Sequence, residues 1–246
     1  MIFKRAISLG WLVTLVWWAR VTAAAPPFPV GVEDLRAGHF SEAAREVRVS
    51  LEAQPAAGTL LNLGLVEWRQ GRVGPAILSW EQSAWLNPLD AAAHQNLLFA
   101  RQAAQLEPPE LTWYEITSAW LPADVWAWIA SVSLWLTVAI MMVPRVLRRP
   151  KTGWHQSLAA FGLGVCLLSL PPNVGVVTRA SLGIVLEKKA PLRLTPTKEG
   201  EMVSSLVAGE WVRKLRDRGD YCFVRTPRGT GWVERQQLGL IGRASD

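Results

Sequence analysis

Residues 125–143 read VWAWIASVSLWLTVAIMMV, nineteen positions without a charge. At about 1.5 Å per residue, a helix of that length covers most of a roughly 30 Å hydrocarbon core. The run predicts a first transmembrane helix, placed at 122–144. Trp120, Trp126 and Trp128 cluster at its start, where an aromatic belt meets the lipid–water boundary. The composition agrees. The chain has 14 Trp and only 19% charged residues in 246, a balance that excludes intrinsic disorder.

Working outward, a second apolar run, SLAAFGLGVCLLSLPPNVGVV, occupies 157–177. A buried helix of a soluble protein is the alternative, but a run directly after a first span favours a membrane hairpin. The second transmembrane helix is placed at 155–177, interrupted near its end by Pro171-Pro172. Ala160 and Gly164, with Gly162 between them, have the small-residue spacing that lets helix backbones approach in lipid. The link at 145–154 holds Arg145, Arg148, Arg149 and Lys151. Positive charge in a short loop is retained in the cytoplasm, so both flanking modules are expected outside.

The N-terminal stretch gives the same orientation. Lys4 and Arg5 precede an apolar run from Ala6 to Trp18, and Ala23-Ala24-Ala25 supplies small residues for cleavage. Residues 1–24 therefore read as a signal peptide, cut after Ala23 or Ala24 rather than before Pro26. Arg20 sits awkwardly for cleavage, which keeps an uncleaved anchor as the alternative; either one exports the chain from Pro26 to the first span.

Residues 57–88 read AGTLLNLGLVEWRQGRVGPAILSWEQSAWLNP, helical in two pieces broken near Gly71. Gly64 and Ala76 are small where two helices must cross, and Pro88 ends the second. A weaker copy lies 33 residues upstream, with Gly38 before Gly71 and Ala43 before Ala76. Residues 90–106 read as a closing helix with Asp90 as its N-cap. This array, spanning 26–107, resembles tetratricopeptide repeats, through Gly64, Gly71, Ala76, Trp80, Ser83 and Pro88. Glu67 stands where that family places an aromatic, with Trp68 beside it. The resemblance implies a concave groove lined by Leu61, Leu65 and Trp68, with Val32, Leu35 and Leu97 nearby; packing between helices is the alternative. The Lys, Arg and Asn of clamps for acidic tails are absent there. So short an array is expected to dock on something.

After residue 177 the texture changes to period two with turns. GIVLEK, PLRLTP, WVRKLRD, DYCFVRT and TGWVERQQL read as five short strands, as in a small barrel. The closing Gly231-Trp232-Val233 after a glycine turn is similar to bacterial SH3-like domains, and the barrel is placed at 180–242. Tyr221 stands where those domains have Trp. Tyr221 and Trp232 are the candidate ligand surface, with a place in the barrel wall as the alternative for Trp232.

No catalytic constellation is present: no G-x-S-x-G, Walker loop, H-E-x-x-H or C-x-x-C occurs. Two Cys and three scattered His exclude a disulfide scaffold and argue against a metal site. No cofactor is implied and no enzyme is expected. Residues 26–121 hold 6 basic and 11 acidic residues, whereas 178–246 hold 13 and 8. Neither has the dense basic face of a nucleic-acid binder. Opposite net charges on one side of the membrane suggest salt-sensitive docking of the two modules, reported by Arg213, Lys214 and Arg216, with two independently solvated modules as the alternative.

The fold class expected is thus a multidomain membrane protein: tetratricopeptide array, two-helix transmembrane hairpin and C-terminal all-β SH3-like barrel. That order resembles the BatE-type aerotolerance proteins of bacteria. The resemblance implies an inner-membrane scaffold with both large modules on the periplasmic or extracytoplasmic side. It also implies von Willebrand-type and MoxR-type protein partners and a link to oxidative-stress tolerance. The alternative is a cell-wall sensor or adaptor whose barrel binds peptidoglycan.

Overall fold

The structure is a computed structural model that describes residues 45, 48, 49, 51, 56–146 and 153–242, without the side chains of 143–145. The expected leader, most of the upstream repeat copy and most of the basic link lie outside the described residues.

Helices α1 (Ala57–Arg69) and α2 (Val73–Leu86) form a hairpin. It turns at Gly71, whose φ of +73° is cheap only for a residue without Cβ. The helices cross where a Cβ on Gly64 would lie 2.4 Å from Trp80 Nε1. Glycine lets the indole in, and its N–H donates to the Leu61 carbonyl at 3.1 Å. Ser83 Oγ donates to the Ala57 carbonyl at 2.8 Å. Ala76, Ile77 and Trp80 are buried. Helix α3 (Ala91–Ala103) starts at Asp90, whose carboxylate accepts from the Ala92 N–H at 2.9 Å, and packs Ala93, Leu97 and Ala100 into the same cluster. The expected hairpin, its turn and its crossing residues are therefore found, while the closing helix, expected over 90–106, ends at Ala103.

A short helix not expected from the sequence, α4 (Trp113–Ser118), comes next in the chain. Thr112 and Glu115 form its capping box. Helices α5 (Ala123–Val146) and α6 (Gly153–Arg179) are long and apolar enough to cross a membrane. They pack antiparallel: Gly162 meets Thr137, and Asn173 Nδ2 donates to the Trp126 carbonyl at 3.1 Å.

Two sequence expectations fail in this hairpin. Helix α6 runs unbroken through Pro171 and Pro172. The prolines remove two N–H donors, but the turn is braced. Asn173 Nδ2 donates to the Ser169 carbonyl at 2.8 Å and Ser169 Oγ to the Cys166 carbonyl at 2.7 Å. These bonds flank the Leu167 and Leu168 carbonyls that the prolines leave without their usual N–H donors, and a packed neighbouring helix lets a long apolar helix keep its prolines. The crossing also sits on a different stripe. A Cβ on Gly162 would lie 2.5 Å from Thr137 Oγ1, whereas one on Gly164 meets nothing within 4 Å. Ala160 is exposed and Ala159 buried. The contact stripe is Ala159, Gly162, Cys166 and Ser169, at spacings of three and four.

The rest is one antiparallel sheet in the order β3-β2-β6-β5-β4-β1-β7. Its strands are β1 (Leu182–Val185), β2 (Ala190–Arg193), β3 (Met202–Leu206), β4 (Trp211–Arg218), β5 (Tyr221–Thr226), β6 (Gly229–Glu234) and β7 (Leu238–Leu240). The five expected runs are β1, β2, β4, β5 and β6; β3 and β7 are additional. All seven strands supply one apolar cluster, from Val185, Ala190, Leu192, Leu206, Val212, Cys222, Val224 and Val233 with Leu238 against it. The sheet therefore curls around its own core.

Helices and sheet share a second core. Ile77, Trp80 and Ala84 of α2 cluster with Leu182, Ile184, Trp211 and Ile241. The backbones approach closely: a Cβ on Gly74 would lie 2.4 Å from the Val185 carbonyl, and one on Gly239 2.1 Å from Leu78 Cδ2. The helical unit does dock, and it docks on the sheet of its own chain. The contact is apolar rather than a salt-sensitive meeting of net charges. Of the three cations expected to report it, Lys214 pairs with Asp217 at 3.0 Å and Arg216 is exposed. Only Arg213 reaches across, to a buried carboxylate.

Candidate functional site

That carboxylate belongs to Glu115, fully buried on α4. Arg213 Nη1 donates to Oε1 at 2.6 Å and Nη2 to Oε2 at 3.2 Å. Burial pushes the Glu115 carboxyl up. The Arg213 guanidinium and the Thr112 N–H and hydroxyl outweigh it and hold the pKa at about 2. Ser118, one turn on, accepts from Trp126 Nε1 at its carbonyl (3.2 Å) and from Arg179 Nη1 at its hydroxyl (3.2 Å). The Arg179 guanidinium lies over the Trp85 ring at 5.1 Å. This joint ties α2, α4, the apolar hairpin and β4 together, and nothing in the sequence pattern announces it.

With one side of α2 sealed against the sheet, the exposed side of the helical unit is the face of α1 and α3. Leu61, Leu65 and Trp68 are all half-buried. Leu61 and Trp68 also pack on the helical core, so they serve structure and face together. Trp68 lies between Trp80 and Phe99, at centroid distances of 6.0 and 5.7 Å. Phe99 is 58% exposed, and Leu98 beside it is exposed as well. Sequence reasoning missed Phe99. Its signal was an apolar pair lying outside the inward stripe of Ala93, Leu97 and Ala100. Leu97, expected near the groove, is buried in the core. Charges nearby are paired: Arg72 holds buried Glu67 at 2.9 Å, Arg48 also bonds it, and Arg101 bonds Glu81.

On the sheet, Tyr221 and Trp232 lie on the face opposite the core, each half-buried. Phe223 joins them, pairing across strands with Trp232 at a centroid distance of 5.1 Å. The alternation in DYCFVRT carried that signal. Register places Arg218 beside Tyr221, Arg216 beside Phe223 and Arg193 beside Trp232. The result is an aromatic strip bordered by arginines.

Between α2 and the sheet lies a cleft of about 310 Å³ lined by Leu78, Gln82, Lys214, Asp217, Cys222 and Arg235. Cys222 Sγ donates to Asp217 Oδ1 at 3.2 Å. Burial and the Asp217 carboxylate push the thiol up to about 11, so it stays protonated and is a poor nucleophile at neutral pH. Lys214 holds the Asp217 carboxyl below its usual range. Among the described residues, no group of three His, Cys, Asp or Glu side chains is placed to hold a metal ion. No protein-family model matches this chain, and no curated protein matches it.

Proposed function

We propose that this chain is a membrane-anchored envelope scaffold of the BatE type, without enzymatic activity, that binds protein partners through its exported modules. In this proposal the helical unit is a short tetratricopeptide array and the sheet an SH3-like barrel. The α5–α6 hairpin crosses the inner membrane, with both modules on the periplasmic side. The observation that supports it is the asymmetry of the helical unit. One side of α2 is sealed by the chain's own sheet, where Gly74, Leu78 and Gln82 meet Val185, Gly239 and Leu240. The other side leaves Phe99 and Leu98 exposed beside Trp68. A contiguous, solvent-exposed aromatic face is what a partner contact requires. The partners proposed are the von Willebrand-type and MoxR-type proteins of a Bat system. The test is co-purification of a co-expressed von Willebrand-type partner with the intact chain from membranes. Phe99→Glu should abolish capture while Trp232→Ala retains it; equal capture by wild type and Phe99→Glu would contradict the assignment of the face.

One observation favours a second reading, binding of peptidoglycan. The strip of Tyr221, Phe223 and Trp232 bordered by Arg193, Arg216 and Arg218 suits a glycan ring stacked on aromatics with carboxylates near cations. Sedimentation of the detergent-solubilised intact chain with purified peptidoglycan, lost in Trp232→Ala, would support it.

A further inference from the structure

We infer that α4 is an interfacial foot: its outer face lies in the lipid headgroup region, and its inner face latches the sheet to the membrane hairpin. The inference rests on the reading of α5 and α6 as transmembrane helices.

The outer face is apolar, and among the described residues the Trp113 ring meets only the ring of its neighbour Tyr114, edge-on, at a centroid distance of 5.7 Å. Trp113 and Ile116, three apart on one stripe of α4, are 66% and 49% exposed, and Trp120, 63% exposed, follows in the turn that closes the helix. The inner face carries Glu115 and Ser118, both buried and bonded to Arg213 and Arg179. Trp is the residue type that settles at the headgroup level, because its ring is apolar and its N–H is polar.

The level of α4 along the hairpin selects the occupant. A Cβ on Gly175 would lie 2.1 Å from the Tyr114 carbonyl, and Arg179 bonds Ser118. Helix α4 therefore sits beside Gly175–Arg179. Helix α6 has 27 residues, about 40 Å at 1.5 Å per residue, against a core of about 30 Å. A centred helix overshoots by about 5 Å at each end, or three to four residues. That overshoot, residues 176–179, is the part against which α4 packs, with Gly175 at its inner edge. Exposed Trp128, one turn into α5, continues the aromatic belt. Trp126, expected in that belt, instead donates to the Ser118 carbonyl at 3.2 Å and belongs to the joint.

The test uses the full chain in vesicles of phosphatidylcholine and phosphatidylglycerol, with an environment-sensitive fluorophore on Ile116→Cys or on Leu134→Cys. Leu134 is exposed in the middle of α5. The native Cys166 and Cys222 are buried, and an unsubstituted chain corrects for their labelling. Quenchers are lipids carrying a spin label near the headgroup or near the chain end. The Ile116 probe should be quenched several-fold more by the shallow label than by the deep one, and Leu134 the reverse. A water-like, unquenched Ile116 probe beside a deeply quenched Leu134 probe would overturn the foot and leave the hairpin in the membrane. No quenching at either site would overturn both.

Discussion

Glu115 shows how one residue sets the joint. Its carboxyl is held at about 2 against an ordinary 4.5. A group whose folded pKa is depressed contributes stability in full above the unfolded value and loses it as pH falls through the folded one. The contribution is therefore complete above about pH 4.5 and disappears towards pH 2, for a total of about 3 kcal/mol. Glu115→Gln should lower stability by about that amount at neutral pH and flatten its dependence below pH 4.5. Thermal melting of the solubilised chain across that window checks both. Gly64 acts through space rather than charge. Leucine there drives its Cβ into the Trp80 ring, 2.4 Å away, and should cost about 1–3 kcal/mol or more. An unchanged melting temperature for Gly64→Leu would contradict the α1–α2 crossing.

At the scale of elements, what the sequence revealed depended on length and period. The hairpin of α1 and α2 was legible because its small residues, Gly64 and Ala76, and its turn at Gly71 sit at fixed offsets on two helical periods. The glycine turns with φ of +87° at Gly209 and +57° at Gly219 likewise marked off the long strands. Strand β7 has three residues and α4 six, too few to show a period. β3, MVSSL, lacks alternation. Pro171-Pro172 misled because proline breaks helices in water, whereas a packed apolar helix supplies side-chain bonds around it. Ala160 and Gly164 misled because three small residues in five leave the stripe undetermined until the partner is seen. Those alternatives separate experimentally. Gly162→Leu should push Thr137 away and loosen the hairpin, and Gly164→Leu should leave it unchanged. Proteolytic resistance of the two variants in detergent measures the difference; equal resistance would contradict the stripe.

At the scale of the molecule, the candidate faces were half legible. Trp68, Tyr221 and Trp232 stand out as aromatics at exposed registers, but Phe99 and Phe223 join them only through tertiary packing. The shared core was not legible either, because Leu78 and Ile77 read equally well as packing inside the helical hairpin. That core makes helices and sheet one unit above the apolar hairpin, so neither should behave as an independent module. A disulfide placed across the seam tests the packing and the proposed exported location together. Leu78 and Gly239 face each other there, with a Cβ on Gly239 2.1 Å from Leu78 Cδ2 and 3.1 Å from Cγ, which suits a bridge between two cysteine Cβ atoms about 3.5–4.5 Å apart. The chain carries Leu78→Cys and Gly239→Cys with Cys222→Ala, and its mobility is read on a non-reducing gel from intact bacteria without added oxidant. A bridge forms if the two residues meet on the oxidising side of the membrane; two free thiols in intact cells would contradict it.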